Sequence, residues 1–287
     1  MGYLHIENLY KNQEILLFKE CYALEKIHGT SANVSWNGSV LSFHSGGESH
    51  TRFISLFDAA AIQTKLIDLG FKDRKVTIYG EAYGGSQQGM SHTYGAVLKF
   101  AAFDVCLDEG VWLTVPEAAE FCKGLGIEFV HFVKISTDLK DLDAQRDADS
   151  EQAIRNGVGA GKKREGVVLR PLIELTKSTG TRIITKHKRD EFRETASPRV
   201  VDDPAKLKVL EDANKIATEW VTVTRLEHVL DKIPEHGMEK IPVIIAAMVE
   251  DVTREAKGEI VDNDATRKAI RAKTVTMYKD YLKSKIQ

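Results

Sequence analysis

Short runs rich in Val, Ile, Phe and Tyr crowd the first 193 residues of this chain and then stop. They lie at 21–27, 39–44, 75–81, 97–105, 127–133, 165–170 and 181–188, and each has the length and composition of a β-strand. Helical patterns fall near 52–69 and 116–124, the second introduced by Thr114-Val115-Pro116-Glu117, with proline in the first turn and an acid behind it. A polar stretch with two prolines, T-A-S-P-R-V-V-D-D-P, marks a change of texture near 194–203. Beyond it Leu207, Leu210, Ala213, Ile216, Ala217 and Trp220 recur at steps of three and four, as an amphipathic helix requires. Residues 223–233, 241–256 and 265–286 continue in helical style. The pattern predicts an α+β domain over 1–198 and a small all-helical domain over 199–287.

A chain of 287 residues can bury a substantial core in one large or two ordinary domains. Its three cysteines, Cys21, Cys106 and Cys122, are odd in number and form no C-x-x-C pair, which argues against a disulfide framework or a cysteine zinc site. A reducing, cytoplasmic setting is the expectation. The first residues lack a basic start followed by an apolar run, so no signal peptide is read there. The longest apolar run, 241–249, is too short to span a bilayer and contains Pro242, so no membrane is expected. Net charge is −2, which excludes a global basic field, but charge is distributed unevenly. Residues 162–193 carry ten Lys/Arg against four Asp/Glu, and 267–285 carry seven against one. Such segments suit phosphate-rich partners, although a solvated helix face reads the same way.

Lys26 ends the run C-Y-A-L-E-K-I and opens K-I-H-G. Lysine is among the residues least often buried, so it either reaches water from the strand end or is held in a pocket for chemistry. Four further motifs follow in order. Y-G-E at 79–81 puts Glu81 on a strand end, and F-A-A-F-D-V at 100–105 brings Phe103 into a strand. E-G-V-V-L-R at 165–170 places Glu165 before a strand, and I-I-T-K-H-K at 183–188 ends on two lysines two residues apart. Strand side chains alternate, so Lys186 and Lys188 share a face and His187 takes the other. Two like charges side by side call for an anion between them, and polyphosphate is one. Alone, the last motif reads equally well as an edge strand that uses lysines to block aggregation.

Together and in this order, the five motifs over about 21–190 resemble the covalent nucleotidyltransferase superfamily of nucleic-acid ligases and mRNA-capping enzymes. The K-I-H-G-T form is similar to that of ATP-dependent RNA ligases, in particular the phage RNA ligase 2 and kinetoplastid RNA-editing ligase group. The resemblance implies an ATP-grasp-like ligase domain of antiparallel sheets with flanking helices. It implies that Lys26 attacks the α-phosphorus of ATP to form lysine–AMP, that AMP passes to an RNA 5′-phosphate, and that a 3′-hydroxyl then seals the strand at a nick or break in duplex RNA. A free lysine has a pKa of about 10.4, so near pH 7.4 only about one in a thousand is neutral. Desolvation or nearby cations must activate it. By the same resemblance Glu81 holds the ribose, Phe103 stacks on adenine, and Gly29 allows close backbone approach. Glu165 places Mg²⁺ or Mn²⁺, Lys186 and Lys188 bind the α-phosphate, and His28 is tuned to the nucleotide. RNA is the implied partner, the protein is expected to act as a monomer, and a viral gene is one source the resemblance admits. A DNA ligase or capping enzyme, or a catalytically silent RNA-binding protein of this fold, are the alternatives.

The chain departs from the group in two places. Ser31 stands where Asn is common, and an arginine usual some twenty residues past the lysine is replaced by F-H-S-G-G-E-S-H at 43–50, with Arg52 the nearest. That loop could cradle phosphate, bind zinc through His44, Glu48 and His50, or simply be a loop. N-G-V-G-A-G-K-K at 156–163 imitates a phosphate-binding loop but has Asn156 for the first Gly and Lys163 for Ser/Thr, and it precedes a strand rather than following one. His5, His92, His131, His228 and His236 show no ligand spacing.

Overall fold

A computed structural model describes residues 2–204, 209–233 and 235–285 of the chain. It divides into two units, Met1–Arg189 and Asp190–Gln287. The division lies ahead of the 198/199 boundary read from the sequence because the intervening residues already pair with helices of the second unit. Ala196 N–H donates to Glu219 O at 2.8 Å, and the Ser197 hydroxyl donates to the Glu219 carboxylate at 2.9 Å.

The first unit is α+β. In chain order it runs β1 (Glu20–Lys26), β2 (Thr30–Trp36), β3 (Leu41–Ser45), α1 (His50–Ile54), α2 (Ala59–Asp68), β4 (Val76–Tyr83), α3 (Ser91–Tyr94), β5 (Lys99–Leu107) and β6 (Val111–Trp112). It continues with α4 (Val115–Leu125), β7 (Phe132–Ser136), α5 (Leu139–Arg146), α6 (Glu151–Arg155), β8 (Gly166–Pro171) and β9 (Thr185–Lys188). Two antiparallel sheets result, β7-β1-β8-β9 and β3-β2-β4-β5-β6. The N-terminal signal read at Thr114–Glu117 takes the form of a capping box: the Thr114 hydroxyl and N–H both donate to Glu117, and α4 ends at Gly126 in the left-handed conformation.

Three sequence expectations shift. The helix over 52–69 is two helices, because Asp58 caps a new start by accepting from Ala61 N–H. The run 127–133 enters the ladder only from Phe132, since Phe129 makes instead an isolated bridge with Ala102 of β5. Of 181–188, only Thr185–Lys188 pairs with β8. Two strands were not expected at all, the two-residue β6 and the longer β2. β2 sits inside the five-stranded sheet between β3 and β4, with Ala32, Val34 and Trp36 buried at period two. Its polar T-S-A-N-V-S-W composition hid that period.

The second unit is helical: α7 (Ala213–Trp220), α8 (Val223–Asp231), α9 (Ile241–Glu255) and α10 (Asp264–Ser284). Asp212, Thr222 and Asn263 cap α7, α8 and α10 through their side-chain oxygens. Leu210, read as part of the first helix, lies before the cap and bridges Ile260 instead; Leu207 and Ile286 fall outside the described residues. Ile216, Trp220, Leu226, Ile244, Met248 and Ile270 build the core. No helix among the described residues is long and apolar enough to cross a membrane.

Candidate active site

β1 pairs with β8 so that Lys26, its last residue, stands opposite Gly166, the neighbour of Glu165. Glu165 N–H donates to Lys26 O at 3.1 Å, which fixes the two side chains beside each other. Lys26 Nζ lies 2.9 Å from Glu165 Oε2, and Lys188 Nζ lies 2.8 Å from Oε1. His28 Nδ1 is 3.2 Å from Oε2. Glu165 is 2% exposed, whereas the Lys26 side chain is 25% exposed at the edge of a cleft. Burial alone would raise the Glu165 pKa. Lys188, Lys26 and His28 overcome that and hold the carboxyl well below the usual carboxylate range.

The cleft measures about 250 Å³, and Lys26, Ser31, Glu81, Phe103 and Lys186 are on its wall. Phe103 is aimed there by a bulge. Tyr79 faces Asp104 and Gly80 faces Ala102, so Phe103 is the extra residue with no partner across the ladder. Alternation works as expected at β9: Lys186 lines the cleft, Lys188 reaches Glu165, and His187 points to Asp143 at 2.7 Å. Gly29 donates its N–H to Glu81 Oε1 at 3.1 Å. A Cβ there would lie 2.3 Å from Ala82 O, so the close approach this glycine permits is to β4 itself.

The eight expected site residues therefore gather around one cleft and one carboxylate. Among the described residues, side chains alone arrange no metal site. Both Glu165 oxygens already receive cations or His28, and among the described residues no cluster of three His, Cys, Asp or Glu suits a metal. His44, Glu48 and His50 accordingly do not assemble a zinc site; Glu48 accepts instead from Gln87 Nε2 at 2.8 Å and tethers two loops.

Sequence reasoning missed a buried ion cluster, two of whose members, Tyr3 and Arg170, line the cleft. Asp104, fully buried, binds Arg170 at 2.9 Å, Arg182 at 2.6 Å and the Tyr3 hydroxyl at 2.7 Å. Arg182 continues to Glu174 at 2.7 Å and lies 3.9 Å over the Trp112 ring. It also missed Tyr94, whose hydroxyl accepts from His28 N–H at 3.2 Å, and Glu25, whose buried carboxylate accepts from Ser150 and from Gln152 N–H. Burial raises the Glu25 pKa despite Ser150 and Arg164. An aspartate directly after Phe103, and two arginines amid strand-like runs, were the available signals.

Residues 19–188, more than half of the chain, match the RNA ligase family, and the chain belongs to that family. No curated protein sequence matches it. Among solved structures it is similar to the Naegleria gruberi RNA ligase with PPi, at 18% identity and a TM-score of 0.50 over 67% of this chain and 57% of that one. A methionine-for-lysine mutant of the same ligase with AMP and Mn gives 16% identity and a TM-score of 0.51 over the same shares. At these identities the likeness is one of fold, and this chain spans just over half the length of those proteins.

Proposed function

We propose that this RNA ligase family member joins RNA 3′-hydroxyl and 5′-phosphate ends in an ATP-dependent reaction that passes through AMP bound to Lys26. The observation that carries the reading is the part-exposed Lys26 at a strand end, sharing one cleft with Glu81, Phe103 and Lys186. The cleft falls just under the ~300–1,000 Å³ usual for small-molecule sites, which suits a nucleoside held inside with its phosphates at the mouth.

In the first step Lys26 Nζ, having lost a proton to solvent, forms a bond to the α-phosphorus and gives up a second proton to solvent, and the bond to pyrophosphate breaks. An RNA 5′-phosphate oxygen then attacks that phosphorus, the P–N bond breaks, and Lys26 leaves and is reprotonated. Finally the 3′-hydroxyl attacks the 5′-phosphorus, loses its proton and expels AMP. Phe103 offers a ring for adenine and Glu81 an acceptor for ribose hydroxyls. Lys186 and Lys188 place positive charge where the phosphates gain negative charge. His28 orients Glu165. A divalent ion, Mg²⁺ or Mn²⁺, would arrive with the phosphates and take most of its ligands from them and from water, with Glu165 as the carboxylate available from the protein. It would neutralise phosphate charge. The helical unit, whose α10 region carries seven Lys/Arg against one acid over 267–285, would hold duplex RNA at a nick or break, mainly through phosphates.

The test is covalent labelling. Protein freed of bound nucleotide is incubated with α-labelled ATP and Mg²⁺ beside Lys26→Ala, then run on a denaturing gel. Label on the wild type alone is expected. No label on either would remove the ligase mechanism and leave a silent RNA-binding protein.

A further inference from the structure

The glycine-rich loop at 156–163, which fails as a nucleotide phosphate loop, has both ends tied to the candidate site. On one side Asn156 Nδ2 donates to Tyr94 O at 2.9 Å, and the Tyr94 hydroxyl receives His28 N–H. Lys99 Nζ donates to Asn156 Oδ1 at 2.8 Å. On the other side Ser150 N–H donates to Lys162 O at 2.7 Å, Lys163 bridges Asp149, and two residues later Glu165 N–H reaches Lys26 O. Between these anchors Gly157, Gly159 and Gly161 adopt φ of +77°, +104° and +79°, and a Cβ at any of them would meet nothing within 4 Å. The glycines serve turning rather than packing. They swing out a segment that, from 152 to 164, carries four Lys/Arg and no acid. Only Arg164 of these four is turned inward, where it donates to Asp149 O.

Arg155, at the start of the loop, also lines a cleft of about 530 Å³ with Lys123, His131 and Phe132. Its one acid, Glu128, is met by Arg155 at 3.8 Å and by Gln152 Nε2 at 2.8 Å. This cleft runs beside β1 one residue short of Lys26: Glu25 N–H donates to His131 O at 2.8 Å, and Leu24 faces Phe132. A basic lip with a half-buried aromatic ring, next to the strand that ends in Lys26, matches a polyanion with bases to stack and a chain end to deliver.

Resting on the ligase reading above, we propose that the 156–163 loop and the cleft beside it form a track on the first unit for the phosphodiester backbone of one RNA strand, whose end is thereby brought to Lys26. Lys162 and Lys163 bear on phosphates near the end, and Arg155 and Lys123 bear on those further along. The cations of the track serve RNA and not ATP.

The experiment measures binding of a labelled 5′-phosphorylated RNA strand, alone and in a nicked duplex, to full-length protein by anisotropy across a salt series. It compares wild type, Lys162→Ala/Lys163→Ala, Lys123→Ala and the charge-keeping Lys162→Arg/Lys163→Arg. The double alanine variant is expected to bind several-fold more weakly, with a salt slope shallower by about 1–2, since each phosphate contact contributes about 0.7–0.9. Lys123→Ala is expected to lose about one contact, the arginine variant to bind as wild type, and AMP labelling to stay unchanged in all of them. Unchanged RNA affinity and slope in the alanine variants would overturn the proposal. So would a loss of AMP labelling with RNA affinity intact, which would assign the loop to the nucleotide. Because RNA binding is read directly, a wild type that takes no AMP label but loses RNA with its lysines would sink the ligase reading and leave the track standing.

Discussion

Two buried carboxylates in the first unit each lie between two cations, and they differ in which cations. Asp104 is held by Arg170 and Arg182, with Tyr3 as a third donor, and all but Tyr3 are within a few per cent of complete burial. Glu165 is held by Lys26 and Lys188, with His28 as a third donor, and Lys26 opens onto the cleft. Arginine stays protonated and grips oxygens with a planar fork, so the first cluster keeps one charge state. Lysine is a point charge that can give up a proton and become a nucleophile, so the second cluster can be structure in one state and chemistry in another. The fold thus builds a fixed ion cluster and a convertible one into the same unit, and Phe103 and Asp104, adjacent in sequence, belong to the cleft wall and to the fixed cluster in turn.

The comparison breaks most visibly at Asp104. Asp104→Asn leaves two buried guanidiniums short of their counter-charge and is expected to cost about 3–5 kcal/mol in urea unfolding. Loss below ~1 kcal/mol would mean the cluster is not the anchor its geometry suggests. A crossed exchange sharpens the contrast. Arg182→Lys keeps the charge but cannot bridge Asp104 and Glu174 while covering Trp112, so stability should fall by about 1–3 kcal/mol while AMP labelling survives. Lys26→Arg keeps the charge toward Glu165 but has no proton to lose, so stability should hold within about 0.5 kcal/mol while labelling vanishes. If both exchanges cost stability and labelling alike, the division of labour is wrong.

The remaining effect is one of pH. The folded Glu165 carboxyl titrates well below its ordinary value, so the stability it contributes is present above the unfolded carboxylate pKa of about 4.3 and disappears as pH falls through the lower folded value. Glu165→Gln should therefore be less stable than wild type by about 1.5–3 kcal/mol between pH 5 and 7. The gap should narrow as pH drops below about 4. Thermal melts of both proteins across that range would show it; a gap that stays constant to low pH would deny the depressed pKa.

Much of the architecture was legible in the sequence because it depends on local periodicity. Strand-rich and helix-rich halves announce themselves in composition, and α4 carries its own start and stop in Thr114, Glu117 and Gly126. β2 escaped because Ser31, Asn33 and Ser35 dilute the apolar signal, while its place between β3 and β4 supplies the burial that the composition does not advertise. The run at 127–133 misled in the opposite sense: apolar enough for a strand, it spends its first residues crossing from β5 to β1.

Of the candidate site, the sequence by itself determined that Lys26 ends a strand and that Lys186 and Lys188 share a face with His187 turned away, because alternation is a property of the extended backbone. Only the tertiary structure decided that Glu165, 139 residues from Lys26, bridges it to Lys188, that a bulge turns Phe103 into the cleft, and that Asp104 gathers Arg170 and Arg182. Those facts depend on the register between strands far apart in the chain, which is set by the packing of two whole sheets and leaves no mark in any one stretch of residues.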